Sequence, residues 1–241
     1  MTPIRLISAL TLSIALAACT SPVPDATRNL PINETTGRAL AADGVAAKPG
    51  SYSLMTPVYD VTAINVQVPE DLRVSEANMY YPVADIVWRG EPRGDRHVQV
   101  KAIFDEAFAA GTQSLDHGRA VSVDVVVARF HCLTEKARYT VGGVFSIKFG
   151  ITVRDAATGE ILDGPRIVVA DLKASGGAIA VQEEAMGISQ RSVILRRLTE
   201  VALRELTRPL AVPVPQDGTA PLAEGMVPVS RGTFDPTELA N

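Results

Sequence analysis

The stretch "VGGVFSIKFGITVRD", residues 141–155, alternates without a break. Phe145, Ile147, Phe149, Ile151 and Val153 fall on one side, and Ser146, Lys148, Gly150, Thr152 and Arg154 on the other. Successive side chains of a strand point to opposite faces, so this pattern predicts a half-buried strand with one wet face. "DAATGEIL" (155–162) follows, with Asp155 and Gly159 as turn residues. It predicts that the chain doubles back into an antiparallel neighbour, "PRIVVADLKA" (165–174), with Val168, Ala170 and Leu172 inward. Upstream, "AVSVDVVVARFH" (120–131) sets Val121, Val123, Val125 and Val127 on one face, with Ser122 and Asp124 opposite. "VTAINVQVP" (61–69) adds a fourth strand through Ile64, Val66 and Val68 and ends at Pro69.

Two segments carry the helical period instead. After Asp95, a candidate N-cap, "RHVQVKAIFDEAFAAG" (96–111) places Val100, Ile103, Phe104, Ala107 and Phe108 on one stripe and stops at Gly111. After Ser189, "QRSVILRRLTEVALRELTR" (190–208) does the same with Ile194, Leu195, Leu198, Val201, Ala202 and Leu206, and Pro209 closes it. The order β-α-β-β-β-α predicts an α+β fold: a two-layer sandwich of a largely antiparallel four-stranded sheet with two helices on one face. "SGG" (175–177), leading into "AIAVQEE", reads as a flexible connection.

The ends of the chain read differently. Residues 1–18 have the form of an export signal: Arg5, then an uncharged apolar run from Leu6 to Ala18 that is short for a membrane span, which needs roughly 20 apolar residues. Its end, Leu16-Ala17-Ala18-Cys19, resembles the bacterial lipoprotein signal. That resemblance implies a lipidated Cys19 as the first mature residue and an anchor in a membrane. Two or more acyl chains hold firmly where one does not. Thr20 follows the cysteine where inner-membrane lipoproteins usually carry aspartate, so the expected address is the periplasmic face of the outer membrane. Residues 19–57, with five prolines and no period, read as a lipidated cysteine and disordered tether, with an end-to-end distance of about 35 Å for a flexible coil. Residues 209–241 read as a proline-rich disordered tail. The folded domain is then residues 58–208, a normal size for one core.

A resemblance at the family level covers most of that domain. "YYPVADIVWRGEPRGDRHVQVKAIFDEA" (80–107), "FHCLTE" (130–135), "GGV" (142–144) and "DAATGEIL" resemble an uncharacterised lipoprotein family of alphaproteobacteria, a domain of unknown function. The resemblance implies an envelope lipoprotein and supplies no activity. The element order is also similar to small periplasmic lipoprotein domains that assist transporters, cell-wall synthases or secretion pores, which is analogy of fold only.

The residues themselves offer little chemistry. His97, His117 and His131 show no metal-ligand spacing with one another or with a carboxylate, and the adjacent His131 and Cys132 would point to opposite faces of a strand. No nucleophile elbow and no phosphate-binding loop with its lysine appears. The expectation is therefore a protein that is not an enzyme and takes no metal or cofactor. The formal net charge of −4, or −5 without residues 1–18, also argues against nucleic acid as a partner. Once Cys19 carries lipid, Cys132 has no partner within the chain.

What remains is surface. Residues 71–93 fit neither period and form the longest irregular connection. Within them Asp85, Trp88 and Arg89 are the candidate partner-binding residues, because Trp and Arg dominate many interfaces and Asp85 could pair with Arg89. The wet sheet face, with Asp124, Ser146, Lys148, Thr152 and Arg154, is a second candidate. The sequence thus predicts a binding or structural accessory of an envelope complex, with an unidentified envelope protein as partner. The alternative is a carrier in which sheet and helices part around a lipid or other apolar ligand.

Overall fold

The computed structural model describes residues 52–213 and 225–228. The expected signal, Cys19, most of the tether and most of the tail lie outside these residues.

The stretch that opened the sequence forms β5 (Gly143–Asp155), and all five of its inward residues are buried. It pairs antiparallel with β4 (Arg119–His131) on one side and with β6 (Ile161–Val169) on the other. The hairpin between β5 and β6 is fixed by Asp155, whose side chain accepts the backbone N–H groups of Ala157 and Thr158 and the Thr158 hydroxyl. The short β7 (Leu172–Ala174) continues the β6 side of β5, and the two-residue β3 (Ile86–Val87) continues the other flank of β4.

Here the expected sheet needs correction. The sheet has six strands and is mixed, with order β2-β4-β5-β6 and β3 and β7 as extensions. β2 (Tyr59–Gln67) and β3 both run parallel to β4. The cause is the connection: helix α1 (Arg96–Thr112) carries the chain back over the sheet, so β4 sets out in the same direction as β2. A second, three-stranded antiparallel sheet, β8-β1-β9, was not anticipated. Its strands are β1 (Tyr52–Pro57), β8 (Leu210–Pro213) and β9 (Met226–Pro228). β1 lies in the stretch read as tether, and β8 and β9 in the stretch read as tail. Prolines had argued against strands there, yet Pro57, Pro213 and Pro228 each stand at a strand end, where a missing N–H does little harm.

Both expected helices form with the expected caps. Asp95 accepts the N–H groups of His97 and Val98 at the start of α1. Ser189 accepts Ser192 N–H at the start of α4 (Gln190–Thr207). Gly111 does not end α1 but lies inside it, against α4. A Cβ there would stand 2.7 Å from Thr199 O and 2.9 Å from Ala202 Cβ, so the glycine sets how closely the helices approach. Two more helices appear, α2 (Glu135–Arg138) and α3 (Gly177–Ala185), the latter in the stretch read as flexible. The core lies between the α1–α4 layer and one face of the large sheet. At its centre Phe104 and Phe108 of α1 both meet Phe149 edge to face, at 5.4 and 5.6 Å.

Candidate functional site

The irregular connection between β2 and α1 is ordered from end to end, and the three residues singled out from it do structural work. Asp85 accepts the backbone N–H of Arg73 at 3.0 Å and its Nε at 3.3 Å, which close the base of the loop. The Arg73 backbone N–H is the main cause of holding the Asp85 carboxyl below its ordinary range. Trp88 is fully buried, edge-on to Phe130 at 5.6 Å, so it is a core residue and offers no surface contact. Gly90 crosses directly over its ring. A Cβ at Gly90 would fall 2.2 Å from Trp88 Cη2, a space only glycine leaves open.

Arg89 does not pair with Asp85. Its Nε and Nη2 grip Glu135 at 2.8–3.0 Å, and its Nη1 donates to Glu76 Oε2 at 2.7 Å. Glu76 also receives Arg96, through Nε at 2.6 Å and Nη2 at 3.2 Å. The Arg96 side chain is only 3% exposed and spends its remaining Nη1 on Gln99 Oε1 and the carbonyls of Glu91 and Pro92. Arg96 is the leading cause of the lowered Glu76 pKa, and Glu135 of the raised Arg89 pKa. These groups line a polar concavity of about 480 Å³. Its cations and carboxylates satisfy one another, so it is a clasp that ties the loop to α1 and α2.

What the clasp holds out is the tip. Met79, Tyr80, Tyr81 and Val83 are 48, 53, 65 and 81% exposed. All but Val83 have a fixed neighbour. Thr134 Oγ1 donates to Met79 O, Lys136 Nζ sits 4.7 Å over the Tyr80 ring, and Arg129 Nη2 donates to the Tyr81 hydroxyl at 2.7 Å. Tyr81 stacks on the buried His131 at 4.5 Å, and His131 Nε2 donates to Pro82 O at 2.9 Å. Asn78 accepts Lys136 N–H at the head of α2. From α2 the surface runs on to α3. Arg138 Nε and the Tyr139 hydroxyl both donate to Glu184, at 2.8 and 2.9 Å. Of α3 only Ala180 is buried, while Ile179, Val181 and the following Met186 are each more than half exposed.

Hydrogen bonds thus tie the tip, α2 and α3 into one ridge, and the tip and α3 each carry exposed apolar side chains. Clustered apolar surface such as the tip's marks interaction sites more than single exposed residues do. The sequence reading missed it. The signal was the run "MYYPV" (79–83), five residues with little polarity outside any strand or helix period.

The other reactive groups have quiet surroundings. Cys132 is buried, and burial pushes its thiol well above the ordinary value. His97 Nε2 lies 3.1 Å from Leu72 O, and His117 is exposed beside Asp116. Among the described residues no group of three or more His, Cys, Asp or Glu could hold a metal ion. Nor is any helix among them long and apolar enough to cross a membrane.

A family model described as a family of unknown function, DUF6778, matches residues 59–220. No curated protein sequence matches the chain. A solved structure, protein XCC0632 from Xanthomonas campestris of family DUF330, aligns with 63% of this chain and 85% of its own. The identity is 10% and the TM-score 0.34, a likeness that carries no argument.

Proposed function

The chain belongs to the family of unknown function DUF6778, and on that footing we propose that it is a lipid-anchored envelope protein that docks a protein partner. Cys19 carries the anchor, the periplasmic face of the outer membrane is the address, and the α+β domain is an accessory of an envelope complex. The address rests on Leu16-Ala17-Ala18-Cys19 and Thr20. The docking role rests on one observation, the ordered ridge in which Tyr80, Tyr81 and Val83 are more than half exposed yet Tyr81 and Pro82 are pinned to β4. Pre-ordered aromatic side chains bind with little loss of conformational entropy, which suits them to interfaces.

The space between helices and sheet, where a carried ligand would lie, is filled by Phe104, Phe108, Phe130 and Phe149, all fully buried. That packing favours docking over carriage.

Two experiments test the proposal separately. Cys19→Ala should move the protein from the membrane to the soluble fraction, and continued membrane residence defeats the anchor. In cells, crosslinking followed by mass spectrometry should recover a partner with the native chain. Val83→Asp with Met186→Glu should lose it, and capture that survives both changes defeats the ridge.

A further inference from the structure

The face of the large sheet turned away from α1 and α4 is open to solvent. The strand register lays out its side chains. Val126, Gly150 and Ile167 stand abreast on β4, β5 and β6, and Arg129, Lys148 and Val169 form the next row. Beyond them Lys173 of β7 stands beside Val144 of β5. Val126, Ile167 and Val169 are 40, 67 and 50% exposed. Gly150 leaves a shallow trough between the first two, since a Cβ there would sit 4.0 Å from both Val126 Cβ and Ile167 Cδ1.

Charge is unevenly distributed on this face. At one end Asp124 is neutralised by Arg154 at 2.8 Å and accepts a hydrogen bond from Asn65 Nδ2 at 3.0 Å. At the other end Arg129, Lys148 and Lys173 have no carboxylate within 4.0 Å among the described residues, in a chain of net charge −4. Asp171, the nearest acid along β6 and β7, accepts the Ile147 backbone N–H.

We propose that this face docks an acidic amphipathic segment of a partner protein. Its apolar stripe lies along Val126, Ile167 and Val169, and its carboxylates meet Arg129, Lys148 and Lys173. A helix is the natural form, since a helix laid on a sheet supplies the second covering layer that this face lacks among the described residues. Charge complementarity selects the partner: cations left unpaired beside an apolar strip attract carboxylates and repel basic segments. The surface meets the ridge at Tyr81, through Arg129.

A photoreactive amino acid at Ile167 of the full anchored chain tests this in cells, with the captured peptide sequenced. The expected product is a peptide of another protein with at least two carboxylates flanking an apolar stripe. Capture should fall about tenfold in Lys148→Glu with Lys173→Glu and by less in Lys148→Gln, and remain in Val83→Asp. Both lysines are exposed, so their reversal should leave the fold intact, and an unchanged melting temperature checks it. Five results would overturn the proposal: a lipid adduct, a peptide without carboxylates, a crosslink to this chain's own residues, no product, or capture indifferent to charge reversal. Loss of capture in Val83→Asp would instead merge this surface with the ridge, and so also overturn its independence.

Discussion

The connection between β2 and α1 has two halves with opposite surroundings. Ala84, Ile86, Val87 and Trp88 are buried almost completely, while Met79, Tyr80, Tyr81 and Val83 stand in solvent. The buried half is held by packing: Trp88 on Phe130, with β3 parallel to the end of β4. The exposed half has no core of its own and borrows its order from polar groups on β4 and α2, through Arg129, His131 and Thr134. Irregular backbone is therefore no sign of mobility here. The contrast also separates two kinds of damage. Changes in the buried half should unfold the domain, and changes in the exposed half should spare the fold and cost only binding.

The largest expected effect tests the buried half. Trp88→Ala removes the plug and should destabilise by about 3–5 kcal/mol, read as a lower urea midpoint. A loss below about 1 kcal/mol would mean that the loop closes without its tryptophan and would erase the distinction.

The clasp between the halves comes next. Glu76→Gln leaves the buried Arg96 and the half-buried Arg89 without their shared carboxylate, and should cost roughly 1–3 kcal/mol at neutral pH. The effect has a pH signature. The folded carboxyl lies below its ordinary 4.5, so its stabilisation is complete above that value and disappears as pH falls through the folded pKa. Wild type and Glu76→Gln should therefore converge in acid. A gap that stays constant below pH 4.5 would assign the loss to packing.

Asp155 offers a smaller test away from the loop. Its carboxyl is pulled down to about 2, first by Thr158 N–H and then by Arg119. Its contribution should be whole above the ordinary 3.8 and fade between there and about 2. Asp155→Asn should flatten that limb of the melting-temperature profile. An unchanged limb would place the acid sensitivity elsewhere.

These residues also show what could be read in advance. Valine, isoleucine and phenylalanine at every second position of β4 and β5 are visible in the sequence because one face is buried and the other wet. The same alternation serves parallel and antiparallel neighbours alike, so the parallel β2–β4 pairing became visible only with the α1 crossover in place. α3 was missed because burying Ala180 alone leaves no apolar stripe to detect. β1 and β8 were hidden by prolines at their ends. The sequence points to Trp88 and Arg89 as partner-binding residues, whereas Trp88 is buried and Arg89 is tied to Glu76 and Glu135. β3 is two residues long, too short for any period to show that Trp88 continues inward. The partners of Arg89 lie 13 and 46 residues away, beyond any local pattern.

The smallest expected effect on stability is the one that decides the comparison. Val83 is 81% exposed, so replacing it with Asp removes little buried area and strands no polar partner. Val83→Asp should change unfolding free energy by no more than about 0.5 kcal/mol, the range of ordinary surface changes. Yet it puts a charge on the apolar tip, where a docked partner would have to desolvate it, so crosslinked partner should be lost. Tyr81→Ala is the informative control, because Tyr81 also covers His131 and meets Arg129. It should lower stability slightly more than Val83→Asp while losing capture to the same degree. If Val83→Asp unfolds the domain, the tip belongs to the core after all. If it leaves both stability and capture untouched, the exposed half is ordered for a reason other than docking.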